Sequence, residues 1–313
     1  MIQTDSDQSL NLIKEQQTKA RLVYDMLSKV MYEESVMLFN AINNAADLLG
    51  SDYNAVVSEM TDETLEYIEN NPYVVLAGGA ARDWWRGQPA KDMDMYIMLH
   101  NVREFWGSCN RKLGVKGSLI DYKNNNGVER NYFVDDPKNK DKRNPIMAYI
   151  GDKMIENGML FTKLVDKTIA GDYRNQFIAC VFEMHLDGHV FDLIFMDSSK
   201  AGPVYLPSKK TFWRLSFLDF SREEDELVKD PTPGAFVIST YDYNICRAYY
   251  DFNAQRVVVM DEFIEDFKNK TLTIYSGCDT NLLHNAIYRH LPKLVEKFPN
   301  FKFNPVKSEQ EEK

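Results

Sequence analysis

Apolar residues recur at helical spacing through the N-terminal part of the chain. They include Leu27, Val30, Met31, Leu38, Ile42 and Leu49. Steps of three and four residues place these side chains on one face of a helix, and Gly50 predicts where that helix ends. A second helix is predicted over 62–70, with Pro72 as its stop signal. We expect this segment to form a helical layer, and nothing in the sequence specifies a partner for it.

The pattern then changes to short apolar runs separated by glycine. A buried strand is predicted over 73–77, and Gly78-Gly79 follows it at once. The next residues, 80–86, favour a short helix. A second strand is predicted over 92–99, because apolar and polar residues alternate in its first half. The whole stretch is thus predicted to be a strand, a tight turn, a helix and a second strand.

The sequence between 101 and 175 is less regular. Residues 102–113 favour a helix, whereas 121–145 is polar, rich in Asn and charged in both signs, which predicts an exposed loop. A loop of that length in a compact domain is typical of a functional or mobile segment. We therefore expect 101–175 to be a long insertion in the domain that surrounds it.

The clearest local signal in the second half of the chain is an Asp-Gly pair between two apolar runs. Asp187-Gly188 separates 177–186 from 189–197, which predicts a β-hairpin. Further along the chain, helices are predicted over 240–256 and 279–298.

The composition indicates a globular protein. The chain has 313 residues, of which 44% are hydrophobic, so that it can bury a sizeable core in about two domains. Because the formal net charge is −10, any contact with nucleic acid has to use local basic patches. No charged N-terminal segment precedes an apolar one, and no apolar run reaches transmembrane length. We therefore expect a cytoplasmic protein with no membrane partner.

The metal-binding residue types other than carboxylates give no pattern. The four cysteines form no Cys-x-x-Cys pair, and the five histidines have no metal-ligand spacing. We expect the cysteines to be reduced, and we do not expect a zinc site.

The candidate chemistry lies in the stretch that holds the glycine turn. Asp92 and Asp94 stand two residues apart at the head of a predicted strand, so that both carboxylates project from the same face. Two like charges at that distance repel each other unless a cation lies between them, and such hard oxygen ligands suit Mg²⁺. The alternative is that both carboxylates point to solvent from an edge strand.

The glycines ahead of this pair favour a phosphate ligand. Gly78 and Gly79 allow the backbone to come close to a ligand and to expose its N–H groups, and a helix N-terminus favours negative charge. Arg82 follows on the first helical turn, where it either contacts a triphosphate or forms a surface ion pair with Asp83. A glycine turn followed by a carboxylate pair predicts a site for phosphate and metal.

A third carboxylate is usual in two-metal phosphoryl transfer, and the predicted hairpin offers one. Asp192 interrupts an apolar strand, where an unpaired charge is costly. The rivals are Asp197 at the end of the same strand and Glu183 on the partner strand. We predict that Asp92, Asp94 and Asp192 are the catalytic residues and hold two Mg²⁺ ions, with Mn²⁺ as a substitute.

The spaced residues of 78-GGAARDWWRGQPAKDMD-94 resemble the signature of the DNA polymerase β-like nucleotidyltransferases. The variant in which Gly-Gly, Arg-Asp and a further Gly precede Asp-x-Asp is similar to that of the class II CCA-adding enzymes and bacterial poly(A) polymerases. The resemblance covers about 73–99 and 176–300. It implies an α+β fold: a nucleotidyltransferase head with a mixed or antiparallel sheet and helices, an N-terminal helical region and a short C-terminal helical neck.

The resemblance also implies nucleotide-binding residues outside this signature. The segment 241–248 looks like the one that helps to hold the nucleotide sugar in the family, which assigns Asp242 and Asn244 to nucleotide binding. Asp279 matches an aspartate that, with an arginine, pairs with the edge of the incoming base. Leu282 stands where that arginine is expected, and a leucine cannot donate its hydrogen bonds. We therefore do not expect the chain to select CTP and ATP with that pair of side chains.

These observations predict an enzyme. The expected reaction is the metal-dependent transfer of NMP from an NTP to an acceptor hydroxyl with release of pyrophosphate, and the resemblance implies an RNA 3′ end, such as that of tRNA, as the acceptor. The alternatives are nucleotidylation of a protein or a small molecule, and a non-catalytic nucleotide-binding regulator on the same fold. The predicted domains are a helical region over 1–72, the head over 73–240, and the sugar-binding segment with the neck over 241–313.

Overall fold

The computed structural model describes residues 2–47, 74–99, 102–113, 144–168, 178–197, 204–206, 211–213, 233–275, 283–284 and 286–305. The chain divides into two compact units. The first unit comprises Met1–Thr18, Val75–Asp94 and Gly234–Lys313. The second unit comprises Lys19–Val74 and Met95–Pro233.

Helices and strands alternate along the described chain. The α-helices are α1 (Ile2–Asp47), α2 (Gly79–Trp85), α3 (Val102–Leu113), α4 (Pro145–Glu156), α5 (Pro233–Ser239), α6 (Asp261–Asn269) and α7 (Leu291–Lys297). A 3₁₀ turn covers Asn244–Cys246, and a π-helix covers Ala286–His290. The strands are β1 (Val74–Ala77), β2 (Met93–Leu99), β3 (Phe161–Asp166), β4 (Ile178–Leu186), β5 (His189–Asp197), β6 (Val204–Leu206), β7 (Thr211–Trp213), β8 (Ala248–Asp251), β9 (Arg256–Val259), β10 (Thr271–Thr273) and β11 (Lys302–Asn304).

The sheet of the second unit has the strand order β3-β4-β5-β2. Strand β4 is antiparallel to both β3 and β5. The hairpin predicted from the Asp-Gly pair is confirmed: Asp187 has φ of 49° and Gly188 has φ of 80°, and positive values at both positions are what a two-residue type I′ turn requires. Within this hairpin Glu183 is the cross-strand partner of Asp192.

In the second unit, a polar cluster links α1 to two helices of the predicted insertion through a hydrogen bond and an ion pair. The Tyr149 hydroxyl on α4 donates a hydrogen bond of 2.7 Å to Oε1 of Glu34 on α1. Lys112 on α3 pairs with the same carboxylate. Burial, and after it the hydrogen bond with Glu34, raises the pKa of the Tyr149 phenol. The insertion therefore contains packed helices, and of the predicted loop 121–145 only the last two residues are described, at the start of α4.

The sheet of the first unit has the strand order β1-β8-β9, with both neighbouring pairs antiparallel. The helix predicted over 240–256 is wrong, because this segment holds the 3₁₀ turn, β8 and the turn that leads into β9. Burial in β8 alternates between Ala248 and Tyr250 on the buried face and Tyr249 and Asp251 on the other face. A pair of tyrosines favours a half-buried strand over a helix.

A hydrophobic core in the first unit packs beneath the C-terminal helices. Its buried members are Tyr243, Ile245, Leu272, Ile274, Ala286, Leu294 and Phe298. The helix predicted over 279–298 is confirmed for its described residues up to Lys297, with the π-helix in its middle. The parallel pair of β10 and β11 lies in the same unit.

The prediction of an α+β fold with helices and a mixed or antiparallel sheet is confirmed by these elements. The helix predicted over 62–70 lies outside the described residues, and the three domain boundaries stay predictions. Among the described helices, none combines the length and the apolar composition that crossing a membrane requires.

Candidate active site

The predicted glycine turn joins β1 to α2. Gly78 has φ of 77°, which a residue with a side chain rarely adopts, and its N–H donates a hydrogen bond of 2.8 Å to the Ala248 carbonyl. A Cβ at Gly78 would lie 2.5 Å from the hydroxyl oxygen of Tyr241, whereas one at Gly79 would meet only Arg82 Nη2, at 3.7 Å. The close approach of Tyr241 thus explains why position 78 requires glycine, whereas a Cβ at position 79 would make only an ordinary contact with Arg82.

The two aspartates of the carboxylate pair share the outer face at the head of β2. Asp92 is exposed just before the strand, and Asp94 is half-buried within it. Met93 and Met95, which alternate with them, are 1% and 0% exposed. The period of two that the sequence predicted is therefore present, and it directs both carboxylates to the side opposite the buried methionines.

A side chain that local patterns did not reveal holds the loop in front of this pair. Gln16 of α1 donates from Nε2 to the Ala90 carbonyl at 2.7 Å, and its Oε1 accepts from the Ala90 N–H at 2.9 Å. The same Oε1 accepts from the Trp84 indole N–H at 3.0 Å. Gln16 is 4% exposed and lies in line with Ile13 and Ala20 on the buried face of α1. A polar residue in that apolar stripe is the signal that the sequence offered for this contact.

The predicted third carboxylate lies in β5 of the second unit. Asp192 is 9% exposed and faces Glu183 across the strand pair. Since Asp92 and Asp94 belong to the first unit, the set of three metal ligands stays a prediction. The side chain of Asp197 lies outside the described residues.

Glu183, the other rival for this role, is occupied by cations. Its Oε1 accepts hydrogen bonds from Lys163 at 2.7 Å and from His185 at 2.8 Å, and its Oε2 pairs with Lys167. Burial alone would raise the pKa of Glu183, but these hydrogen bonds outweigh it and lower the pKa to about 2. Both carboxylate oxygens are therefore engaged, which leaves Asp192 as the better candidate ligand.

The donor set fits a magnesium ion that is completed by its substrate. In the described part of the chain, no group of three or more His, Cys, Asp and Glu side chains is close enough to hold a metal ion. Mg²⁺ is commonly bound by one or two carboxylates, together with waters and substrate phosphates. Asp92 and Asp94 supply such a pair at the head of β2.

Arg82 lies in the interior and not on the surface. It is 5% exposed, its Nε lies 3.3 Å from Oδ1 of Asp83, and its Nη1 contacts Sγ of Cys246 at 3.5 Å. Its guanidinium carbon lies 5.4 Å from the centre of the Phe298 ring. Of the two alternatives for Arg82, the ion pair with Asp83 is present, but it is buried and does not lie on the surface. A triphosphate contact by Arg82 stays a prediction.

Asp83 connects α2 to the C-terminal helix. It is 4% exposed, and Nζ of Lys297 on α7 donates to its Oδ2 at 2.5 Å. Lys297 was not among the predicted residues, because no local spacing relates it to Asp83. The contact fixes the helix that carries the glycine turn against the end of the chain's last described helix.

The predicted sugar-binding residues lie at the 3₁₀ turn. Asp242 and Asn244 are each 8% exposed. Oδ2 of Asp242 lies 2.5 Å from Nδ1 of His290, at the end of the π-helix. Asp279 and Leu282, the base-pairing positions of the resemblance, lie outside the described residues.

Comparison with known proteins gives matches among solved structures alone, since no protein-family model and no curated protein matches the sequence. One is a CCA-adding enzyme in complex with CTP, at 10% identity and a TM-score of 0.35, covering 75% of this chain and 36% of that one. Another is the Thermotoga maritima CCA-adding enzyme with tRNA, at 11% identity and a TM-score of 0.32, covering 76% of this chain and 36% of that one. A third is a tRNA nucleotidyltransferase with a primer tRNA and an incoming ATP analogue, at 11% identity and a TM-score of 0.31, covering 74% of this chain and 43% of that one.

These enzymes are of the group that the sequence signature resembles. The chain spans between 36% and 43% of the length of the three structures.

Proposed function

We propose that the chain is a metal-dependent nucleotidyltransferase, which transfers a nucleoside monophosphate from an NTP to an acceptor hydroxyl and releases pyrophosphate. The observation that carries the proposal is the pair of Asp92 and Asp94 at the head of β2, one short helix after the glycine turn of Gly78 and Gly79. A carboxylate pair and an accessible backbone turn suit the metal and the phosphates of one nucleotide.

Each residue has a definite task in this proposal. Gly79 lets a phosphate oxygen approach the backbone, and Asp92 and Asp94 hold the divalent ion, with Asp192 as the third ligand. A bound Mg²⁺ or Mn²⁺ supplies charge stabilisation and lowers the pKa of the acceptor hydroxyl. Gln16 keeps the loop before Asp92 in place through Ala90, so that the carboxylates stay oriented.

The proposed acceptor is an RNA 3′ end, with tRNA as the first candidate. The support is the sequence signature, which is similar to that of enzymes acting on such ends. Because the formal net charge is −10, RNA has to be held by a local basic patch. The affinity for RNA should therefore fall only modestly with rising salt concentration, with a slope that corresponds to a few phosphate contacts.

The experiment supplies the protein with each of the four NTPs, labelled at the α-phosphate, together with Mg²⁺. Parallel reactions contain total RNA, deacylated tRNA, or no acceptor. Label in RNA, dependent on Mg²⁺ or Mn²⁺, is the expected result. Label in the protein alone would replace the RNA acceptor by a protein acceptor. Tight NTP binding without any transfer would favour a non-catalytic regulator and contradict the proposal.

A further inference from the structure

The carboxylate expected to hold the nucleotide sugar is turned towards another side chain. Asp242 is 8% exposed, and its Oδ2 lies 2.5 Å from Nδ1 of His290. Its backbone is held as well, because its carbonyl oxygen accepts a hydrogen bond of 2.7 Å from the Tyr275 N–H. With its side chain and its backbone both held by hydrogen bonds, the buried Asp242 has little freedom to reach a ligand.

His290 is the accessible half of this pair. Its side chain is 44% exposed, against 10% for that of Asp242. The two ring nitrogens point in different directions, so that an Nδ1 directed at Asp242 leaves Nε2 directed away from it. A carboxylate that accepts the Nδ1 proton also fixes the tautomer, and Nε2 of the neutral ring is then a hydrogen-bond acceptor.

The pair lies in the segment that packs on the glycine turn. Tyr241, next to Asp242, has its hydroxyl so close to Gly78 that a Cβ there would lie 2.5 Å away. The Gly78 N–H bonds the Ala248 carbonyl at the other end of the same segment, at 2.8 Å. His290 also ends a π-helix, a rare element that is frequent at functional sites.

From these contacts we infer that His290 touches the bound nucleotide, its Nε2 accepting a hydrogen bond from a sugar hydroxyl, and that Asp242 is the positioning residue that holds the ring. The inference rests on the proposed function, because it requires a nucleotide at this turn. It differs from the role that the resemblance gave to Asp242, which was direct contact with the sugar. Both sugar hydroxyls have the required chemistry, and nucleotides that lack one or the other distinguish them.

The test measures equilibrium binding by titration calorimetry, with the full chain and Mg²⁺. The ligand is the ribonucleotide that the wild type binds most tightly among the four NTPs, compared with its 2′-deoxy and 3′-deoxy forms. The wild type should prefer the ribonucleotide over one of these by roughly 2- to 10-fold, the worth of one hydrogen bond. His290→Phe should bind both equally, and His290→Gln, which retains an acceptor near the Nε2 position, should keep part of the preference.

A double-mutant cycle separates the two residues. If Asp242 acts through the ring, Asp242→Asn lowers the preference in the wild type and changes nothing further in His290→Phe. His284→Phe is the matched control, since it removes another exposed imidazole from the same C-terminal segment, and it should keep the full preference.

Three outcomes overturn the inference: a wild type with no ribose preference, a preference that survives in His290→Phe, or additive effects of the two substitutions. Binding of none of the four NTPs to the wild type would remove the proposed function together with this inference. NTP binding with an unchanged preference in His290→Phe removes the inference alone.

Discussion

Glu183→Gln removes the charge at the centre of the network that borders Asp192. The pKa of Glu183 falls from its ordinary value of 4.5 to about 2, because the hydrogen bonds from Lys163, Lys167 and His185 outweigh the effect of burial. A tenfold change in acid dissociation corresponds to about 1.36 kcal/mol. Allowing for the partial exposure of the lysines, the charged form stabilises the folded state by about 2 to 3 kcal/mol at neutral pH.

The contribution of Glu183 to the free energy of unfolding depends on pH in a defined direction. Because the pKa of Glu183 is lower in the folded than in the unfolded chain, its contribution is complete above about pH 5 and is lost as the pH falls through 4.5 towards 2. Urea unfolding of wild type and Glu183→Gln should therefore differ by about 2 to 3 kcal/mol at pH 7 and by about half of that at pH 3. Equal stabilities at pH 7, or a difference that does not shrink with acid, would refute the reasoning.

Two further substitutions have matched controls. Gly78→Ala combines a positive φ with a contact of 2.5 Å to the Tyr241 hydroxyl and should cost about 3 kcal/mol in urea unfolding, whereas Gly87→Ala, with φ of 70° and no atom within 4 Å, should cost about 1 kcal/mol. Equal costs would show that Tyr241 does not occupy this space. Lys297→Met leaves buried Asp83 without its 2.5 Å partner and should cost about 1 to 3 kcal/mol, whereas Lys153→Met, whose partner Glu156 has a side chain 60% exposed, should cost less than about 0.5 kcal/mol. A loss for Lys297→Met no larger than that for its control would mean that the pair with Asp83 contributes nothing to stability.

Elements with strong local signals were predictable from the sequence. The Asp187-Gly188 pair defined the hairpin of β4 and β5, because few residues tolerate the two positive φ values of its turn. The same holds for the strand, glycine turn, helix and strand over 74–99. The alternation around Asp92 and Asp94 also predicted which face of β2 carries the carboxylates.

The helix predicted over 240–256 failed because its turn lacks a glycine and is instead closed by Asp251, whose Oδ1 accepts hydrogen bonds from the backbone N–H groups of Asn253 and Ala254, both at 2.9 Å. The chain reverses between β8 and β9 with Gln255 at φ of 50°, a value usually taken by glycine or asparagine. Without a glycine there, the apolar residues of the two strands appeared as one helical stripe. Burial of alternate residues in β8 shows the period that the sequence obscured.

Contacts between distant positions were beyond any local pattern. Asp242 and His290 are 48 positions apart, and Asp83 and Lys297 are 214 positions apart. The resemblance assigned Asp242 to a ligand, and the spacing left Arg82 open between a triphosphate and Asp83; the structure directs both side chains to protein partners. The orientation of a side chain depends on the neighbours that the fold supplies, and these were not visible in the spacing of either residue.

The central claim is that Asp92 and Asp94 support nucleotide transfer. Its most direct test compares label transfer from α-phosphate-labelled NTPs by wild type, by Asp92→Asn/Asp94→Asn, and by a control with exposed carboxylates changed, Asp25→Asn/Glu156→Gln. The account predicts Mg²⁺-dependent transfer by wild type and control, and a loss of roughly 100-fold or more in the Asp92/Asp94 variant with an unchanged circular dichroism spectrum. Undiminished transfer by that variant would contradict the account.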